Sequence, residues 1–407
     1  MEKNKTKPDI RFKGFTDDWE QCKFLELYEK NTERNNKLIG YDRTISIATM
    51  SYKDEGNGAS DSSLKTYKVL RPGDLAFEGH TNKEFRYGRF VANDIGIGIM
   101  SPRFSTLRPI KKMPIDFWKY YIHYEPIMRK VLVNSTKAGT MMNELVVDDF
   151  MKQAVFVPSI SEQQHLGQYF SQLDNLITLH QRECNQLKEL KKTMLKKMFP
   201  RDGSNIPEVR FAGFTDVWEQ RKFNELCDMV TVGIANSATH AYSDSGIVMF
   251  RNQNIKPNFL DDTDIIHIKP EFEVKYKNKR LKKNDLLVAR TGYPGTACVI
   301  PEKYENSQTF TTLIARPKKN VNPYFLCQYL NSDVGVEYFE STQIGGGQKN
   351  SSARILNEMP VTLPSDVEEE KRIADYFSQL DNLITLHQRE LEILKNLKKT
   401  CLKRMFI

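Results

Sequence analysis

The 407-residue sequence lacks several features that would point to common protein classes. It has no uninterrupted apolar run of about 18 residues, so no ordinary membrane-spanning helix is predicted. Its six cysteines form no CxxC pair, which argues against a zinc ribbon or a thioredoxin-type site. The first residues, MEKNKTKPDI, have lysines without an apolar stretch behind them, so no secretory signal is predicted. These absences favour a reduced, soluble, cytoplasmic protein with no membrane partner.

Glycine and proline are also sparse, at 21 and 17 residues, which excludes a fibre or a long linker. Hydrophobic residues make up 39% of the chain, enough for buried cores in two or three domains. Lys plus Arg number 60 against 52 Asp plus Glu, a formal net charge of +8. A mild basic excess is compatible with nucleic acid but does not identify a partner.

The chain consists of two half-length copies. Residues 8–24 read PDIRFKGFTDDWEQCKF, and residues 207–223 read PEVRFAGFTDVWEQRKF. The segment YFSQLDNLITLHQRE occurs at 169–183 and again at 376–390, an identity that chance does not produce. The intervening segments share only landmarks such as LRPGDL (70–75) and LKKNDL (281–286). Near-identical frames therefore hold two divergent inserts.

Each repeated segment predicts a long helix. Apolar residues recur every three or four positions, which is typical of a coiled-coil seam, and each helix should be roughly 50–60 Å long. Two copies in one chain favour an antiparallel pair. Both seam histidines are expected to have local partners rather than a metal ion. The predicted seam consists of Phe170, Leu173, Ile177, His180 and Leu187 in the first copy, and Phe377, Leu380, Ile384, His387, Leu391 and Leu394 in the second.

The inserts predict an α+β fold class, with two globular α/β domains and two long helices in a pseudo-twofold repeat. Short strands are expected at 43–49, 74–78, 90–100, 246–255, 263–268, 285–290 and 296–300, and helices at 115–131 and at 323 to about 339. We expect the first domain at 1–160 and its helix at 161–200. The linker and second domain should occupy 201–366, and the second helix 367–407.

Loops that follow equivalent strands are the candidate binding sites, because functional residues concentrate in loops. They combine Arg or Lys with Tyr, Thr, Asn and Gln, the side chains that contact phosphates and base edges. For any one residue, an ordinary polar surface loop is the alternative. The candidate DNA contacts are Lys83, Arg86, Tyr87, Arg89 and Lys137 in the first copy, and Arg251, Asn252, Gln253, Arg290, Thr291, Tyr293, Gln348, Lys349, Asn350 and Arg354 in the second.

Catalytic motifs are weak. The segment NPYF at 322–325 resembles an amino-methyltransferase motif, but it is better explained by Asn322 capping a helix that begins at Pro323. The EVK segment at 273–275, with Asp261, Asp262 and Asp264 upstream, matches half of a nuclease motif that the first copy lacks. No catalytic residue and no metal site is therefore predicted.

The duplicated PxxRFxGFTxxWEQ segments, the YFSQLDNLITLHQRE helices and the unlike inserts resemble the DNA-specificity subunit of a Type I restriction–modification system. The resemblance implies that each insert is a target recognition domain for one half of a bipartite, asymmetric DNA site. It implies that the helices set the gap and dock two methyltransferase subunits, which are joined by motor-endonuclease subunits. S-adenosylmethionine, ATP and Mg would then bind the partner subunits, and this chain would bind no cofactor. The alternative is a non-catalytic scaffold with two protein-binding domains.

Overall fold

The computed structural model describes residues 6–53, 55, 58, 60–139, 142–201, 203–236, 238–342 and 350–407. The chain folds into two compact units. Unit 1 comprises Met1–Gln181 with Arg389–Ile407, and unit 2 comprises Arg182–Gln388. Each unit therefore combines one insert with a part of each long helix.

Unit 1 contains two four-stranded sheets, ordered β2-β9-β6-β7 and β4-β3-β8-β5, with β3 and β8 parallel. Its strands are β1 (Glu20–Lys23), β2 (Tyr28–Lys30), β3 (Thr44–Ser46), β4 (Ser51–Lys53), β5 (Lys68–Leu70), β6 (Leu75–Glu78), β7 (Arg89–Ala92), β8 (Gly98–Met100), β9 (Thr106–Pro109), β10 (Thr136–Lys137), β11 (Glu144–Leu145) and β12 (Ala154–Val157). Its helices are α1 (Phe24–Leu27), α2 (Asp61–Leu64), α3 (Ile115–Tyr121), α4 (Glu125–Val133), α5 (Val147–Lys152) and the first part of α6 (Ile160–Lys197).

Unit 2 also contains two four-stranded sheets, ordered β14-β23-β20-β21 and β15-β19-β16-β22. Its strands are β13 (Glu219–Lys222), β14 (Cys227–Val232), β15 (Tyr242–Ser243), β16 (Ile247–Phe250), β17 (Ile255–Lys256), β18 (Phe259–Leu260), β19 (Ile266–Ile268), β20 (Leu286–Val288), β21 (Ala297–Val299), β22 (Gln308–Thr309), β23 (Leu313–Pro317) and β24 (Pro360–Leu363). Its helices are α7 (Pro270–Glu273), α8 (Pro323–Asn331), α9 (Asp333–Ser341), α10 (Ala353–Glu358) and the first part of α11 (Val367–Met405).

The first sheets of the two units have the same strand order, so the inserts share a fold although their sequences have diverged. A short antiparallel strand pair also closes each insert. β1 pairs with β12, with Lys23 opposite Ala154, and β13 pairs with β24, with Lys222 opposite Pro360. The predicted α+β class with an internal repeat is confirmed.

Four predicted elements are interrupted in the structure. The strand expected over 246–255 ends at Phe250 and is followed by a 3-10 turn at Asn252–Asn254. The helix expected over 115–131 divides into α3 and α4, because Pro126 in the first turn of α4 cannot continue a preceding helix. The strand expected over 90–100 ends at Ala92. Asn93 then closes a turn by donating to the Gly96 carbonyl at 2.8 Å, and Gly96 has a φ of 120°. The helix expected from 323 to 339 divides at Ser332, which has an extended backbone.

The long helices α6 and α11 have 38 and 39 residues, and each begins at a capping side chain. Asp366 Oδ1 accepts from the Glu368 N–H at 2.8 Å. At the other helix, Ser159 Oγ accepts from the Glu162 N–H at 3.3 Å, so Ser159 caps α6. The boundaries predicted at 160/161, 200/201 and 366/367 stay predictions.

Within each unit the two helix parts run antiparallel, as predicted. In unit 1, Asp174 pairs with Lys398 at 2.6 Å and His180 Nδ1 lies 3.1 Å from Glu390. In unit 2, the equivalent residues repeat both contacts: Lys191 pairs with Asp381, and His387 Nδ1 lies 3.3 Å from Glu183. The predicted seam residues are buried or half-buried.

Aromatic side chains dominate the main core of each unit. In unit 1, Phe406 at the end of α11 packs against Phe117, Tyr121 and Phe170. In unit 2, the equivalent Phe199 packs against Phe325 and Phe377. Among the described residues, no helix combines the length and the apolar character that crossing a membrane requires.

Candidate nucleic-acid interface

The same ion pair supports the candidate loop in each unit. Asp74, just before β6, accepts from the Arg71 N–H and from Arg108 Nη2, both at 2.8 Å. Asp285, just before β20, accepts from the Lys282 N–H at 2.8 Å and from Arg316 Nη2 at 2.7 Å. Both aspartates are 1% exposed, so these are internal contacts. They explain the shared Asp-Leu landmark and the Arg-Pro pairs at 108–109 and 316–317.

The residue before each aspartate makes a turn. Gly73 has a φ of 92° and Asn284 a φ of 70°, values in the left-handed region that glycine and asparagine tolerate. The loops after β6 and β20 therefore leave equivalent strands on equivalent supports.

In unit 1 the loop between β6 and β7 presents two exposed basic side chains. Lys83 and Arg86 are exposed, whereas Tyr87 is half-buried against the main core. Arg89 is held internally: its Nη2 lies 2.6 Å from Glu78 Oε2 and donates to the Ala48 carbonyl at 3.3 Å. Lys83 and Arg86 are thus placed for contact with a partner, and Arg89 shapes the loop.

A second predicted segment lies beside this loop. The Asn143 N–H donates to the Gly79 carbonyl at 2.9 Å, and Asn143 Nδ2 donates to the Arg86 carbonyl at 3.5 Å. A Cβ at Gly79 would lie 1.9 Å from the Asn143 carbonyl oxygen, so only glycine permits this approach. Lys137 is exposed on the adjoining β10–β11 pair, opposite Glu144.

In unit 2 the equivalent loops are joined through Asn252. Its Oδ1 accepts from the N–H groups of Arg290 at 2.7 Å and Thr291 at 3.4 Å. Arg290 Nε donates to the Ser351 carbonyl at 3.0 Å, and Thr291 forms a bridge with Asn350. The structure therefore brings together four residues predicted on three separate segments: Asn252, Arg290, Thr291 and Asn350.

Tyr293 and Arg354 are exposed predicted residues of unit 2. Tyr293 is 84% exposed beside Gly292, whose φ is 77°. Arg354 is exposed in the first turn of α10. Two other predicted residues bind a neighbouring carboxylate. Half-buried Arg251 has its Nη2 2.9 Å from Asp264 Oδ2, and the exposed Gln253 donates from Nε2 to the same carboxylate. Gln348 and Lys349 lie outside the described residues.

The acidic residues of the weak nuclease motif are each held by partners of their own. Glu273 is 1% exposed, and hydrogen bonds from Arg280 lower the pKa of its carboxyl. The pKa of Asp262 is lowered mainly by the hydrogen bond from Lys303. At the other weak motif, Asn322 Oδ1 accepts from the N–H groups of Tyr324 and Phe325, so Asn322 caps α8 as predicted.

Comparisons with known proteins agree with this architecture. Residues 215–396 match a family model described as the Type I restriction modification DNA specificity domain. The MjaVIII specificity subunit of a type I restriction enzyme from Methanocaldococcus jannaschii is 23% identical over 315 residues, 74% of this chain and 72% of its own length. The crystal structure of a Type-I S subunit from M. genitalium matches 98% of this chain and 99% of its own, with a TM-score of 0.60 and 12% identity.

Residues 215–396 thus match a Type I specificity domain, and the whole chain is similar to Type I specificity subunits. A further solved chain, from a study of complex assembly and conformational transition of the type I R-M system, shares the fold with a TM-score of 0.51 and 16% identity. It matches 95% of this chain and 97% of its own length. Because the relatives are specificity subunits, the prediction that this chain is not itself an enzyme is confirmed.

Sequence analysis of this specificity subunit missed a set of exposed leucines on the long helices. They lie outside the seam, and they occupy equivalent positions in the two copies. The signal was present in the repeat, because identical apolar residues off the seam have no role in pairing the helices. The set consists of Leu176 (43% exposed) and Leu179 (48%) in unit 1, and Leu383 (43%) and Leu386 (50%) in unit 2.

Proposed function

We propose that this specificity subunit binds a bipartite, asymmetric DNA site, with one half bound by each unit. One observation carries the proposal: the two units repeat the same supports but present different loops. Arg11 pairs with Glu162 in unit 1, and Arg210 pairs with Glu369 in unit 2, each at 2.6 Å. The loops that follow the equivalent strands β6 and β20 differ in length and in most of their residues. Equivalent supports that carry different loops suit a protein that binds two different half-sites with the same domain geometry.

Two methyltransferase subunits dock on the long helices in this proposal. The exposed leucines support it, because apolar side chains in water on two equivalent helices suit two copies of one partner. The length of the helices sets the gap between half-sites. Motor-endonuclease subunits then join the complex. The partner subunits bind S-adenosylmethionine, ATP and Mg, and this chain contributes recognition.

DNA binding is tested by measuring the affinity of the full chain, assembled with its methyltransferase subunits, at several salt concentrations. Methylome sequencing of the host with and without the gene supplies the motif for the duplex. Specific binding should fall steeply with salt, because phosphate contacts release counterions. If deleting the gene leaves every methylated motif in place, and if binding does not depend on salt concentration, the protein-scaffold alternative is favoured.

Docking is tested with Leu383→Ser plus Leu386→Ser, and separately with Leu176→Ser plus Leu179→Ser. Each pair should remove one methyltransferase subunit from the complex, measured by mass photometry, because each removes the apolar surface of one unit. Asn175→Ser and Asn382→Ser, at exposed polar positions beside the leucines, are the matched controls. Full assembly of all leucine variants would exclude these residues from the dock.

A further inference from the structure

A surface loop in unit 1 carries an exposed apolar tip that sequence analysis did not single out. Residues 34–43 form this loop, which leads directly into β3. Leu38 is 60% exposed and Tyr41 is 54% exposed. Leu38 also has a φ of 55°, a left-handed conformation that a branched side chain adopts only at a cost.

The residues around Leu38 hold it in this conformation. The buried side chain of Asn35 accepts from the Ile39 N–H at 2.8 Å and donates to the Ile39 carbonyl at 2.9 Å. Ile39 packs against a small core that contains Leu64 and Tyr67. The Asn35 N–H donates to the Tyr67 carbonyl at 2.9 Å. Strain that the surroundings impose in this way is typical of functional positions.

The charge of the loop indicates the class of partner. Arg34, Lys37 and Arg43 are exposed, and Asp42 is the one carboxylate within 34–43. Two of the basic side chains are fixed: Arg34 Nη1 donates to the Thr66 carbonyl at 2.7 Å, and Arg43 lies 4.3 Å from the ring centroid of Tyr52. An apolar tip among basic side chains fits duplex DNA, into which proteins insert apolar wedges between base steps.

We propose that Leu38, flanked by Tyr41, is a wedge that inserts between neighbouring base pairs of the half-site bound by unit 1. Arg34, Lys37 and Arg43 contact the phosphates around that step. The proposal rests on the proposed DNA-binding function and adds a second mode of recognition. The wedge reads how easily a base-pair step deforms, whereas the loops read base edges.

The wedge and the candidate loop between β6 and β7 can reach one half-site. Arg89, at the end of that loop, contacts the Ala48 carbonyl. The ten peptide steps from Leu38 to Ala48 span at most about 36 Å, close to one turn of DNA, which is about 34 Å long. In unit 2, the segment after β14 buries its aliphatic residue Ile234, which is 0% exposed. In the described part of the segment after β14, unit 2 therefore has no counterpart of Leu38.

The test uses the full chain assembled with its methyltransferase subunits and a duplex carrying the motif found by methylome sequencing. Leu38→Gly removes the wedge and relieves the left-handed strain, so folding and assembly should be retained. Affinity for the duplex should fall on the order of tenfold, the size of one lost base-stacking contact. Leu38→Asn should lower the affinity to the same extent, because asparagine also tolerates the left-handed backbone. The matched control is Ile110→Ala, which alters an apolar residue that is 53% exposed elsewhere in unit 1.

A duplex with 2-aminopurine placed along the unit 1 half-site reports insertion directly. Wild-type protein should raise its fluorescence at one step, and Leu38→Gly should not. If wild-type protein distinguishes the motif from a scrambled duplex while both Leu38 variants bind like wild type, the wedge is refuted and the proposed function stands. If the variants lose methyltransferase assembly but keep DNA affinity, the loop docks a protein and the proposal is overturned. If wild-type protein does not distinguish the duplexes, the proposed function fails, and the wedge with it.

Discussion

Glu370, near the start of α11, differs in chemistry from its counterpart in the first copy. It is 2% exposed and accepts from the Asn322 N–H at 3.0 Å, and burial raises the pKa of its carboxyl to about 7. The equivalent residue in the first copy is Gln163, which is also buried and donates to the Pro158 carbonyl at 2.9 Å. The same position thus holds a neutral amide in unit 1 and a carboxyl with a raised pKa in unit 2.

Glu370→Gln should therefore change how stability depends on pH. Below about pH 4.5 the carboxyl is protonated in both the folded and the unfolded chain, so burial costs little. As pH rises to about 7, the unfolded chain loses this proton first, and the free energy of unfolding declines. The glutamine should remove that decline and raise the free energy of unfolding at pH 8 by up to about 3 kcal/mol.

Urea unfolding of both proteins at pH 4.5 and pH 8 checks this prediction. Glu368→Gln, in the same helical turn but exposed, is the control and should leave the pH dependence unchanged. A wild-type protein and a Glu370→Gln variant with the same pH dependence would contradict it.

Arg354 and Arg251 should respond differently to alanine, although sequence analysis proposed both as DNA contacts. Arg354 is exposed, so Arg354→Ala should weaken binding by about 1–3 kcal/mol and relax one base of the motif if the side chain reads a base. Arg251 is bound to Asp264, so Arg251→Ala should lower the melting temperature and leave the motif unchanged. Binding curves, melting curves and methylated motifs separate the two outcomes. If Arg251→Ala altered the motif, the ion pair between Arg251 and Asp264 would have to open when DNA binds.

The sequence predicted which polar residues lie in the candidate loops but not the direction in which each side chain points. Asn252 is the clearest case, because its side-chain amide oxygen accepts hydrogen bonds from the N–H groups of Arg290 and Thr291. Leu38 was missed for a similar reason. No local pattern marks a leucine with positive φ, since the buried Asn35 and the core under Ile39 impose that conformation.

At the scale of elements, the long helices were predictable and the short ones were not. A heptad pattern repeated over more than five turns identifies a helix and its buried face, so seam and pairing direction followed from the sequence. In the inserts, by contrast, a single proline or asparagine decides where an element stops. Pro126 interrupts a segment that its composition alone predicts to be one continuous helix, and Asn93 interrupts one predicted to be a continuous strand.

Lengthening both helices should widen the recognised gap. We place one extra heptad after Gln181 in α6 and one after Gln388 in α11, where the two units divide. Each heptad adds roughly 10 Å, about three base-pair steps, and keeps the seam in register. Methylome sequencing should show the same two half-sites with a longer gap, or loss of methylation. An unchanged gap with full methylation would show that the helices do not set it.

A heptad in α6 alone is the control for this design. It shifts one helix against the other by two turns, so contacts such as Asp174 to Lys398 and Lys191 to Asp381 cannot all form. This variant should lose stability and methylation, and it should not produce a new gap.

At the scale of the whole molecule, unit 1 is built from two separate parts of the chain, whereas unit 2 is one continuous segment. In unit 1, the Ile10 N–H donates to the Arg404 carbonyl at 2.9 Å, so the first frame segment packs on the end of α11. In unit 2, the equivalent Val209 N–H donates to the Lys197 carbonyl at 2.9 Å, at the end of α6. Because α6 and α11 pair antiparallel, the end of each long helix packs on the frame segment of the opposite copy. The linear order of domains predicted from the sequence does not show this arrangement.

The central claim is that each unit reads one half of the DNA site. The structure gives a clean exchange boundary for testing it, because Lys222 and Pro360 lie opposite each other and the Phe223 N–H donates to the Met359 carbonyl at 2.9 Å. Residues 223–359 are replaced by the equivalent insert of a homologous specificity subunit, and the methylome of the host is sequenced. The account predicts a new sequence in one half of the motif, with the other half and the gap unchanged. A motif altered in both halves, or in neither half of a fully methylating complex, would contradict it.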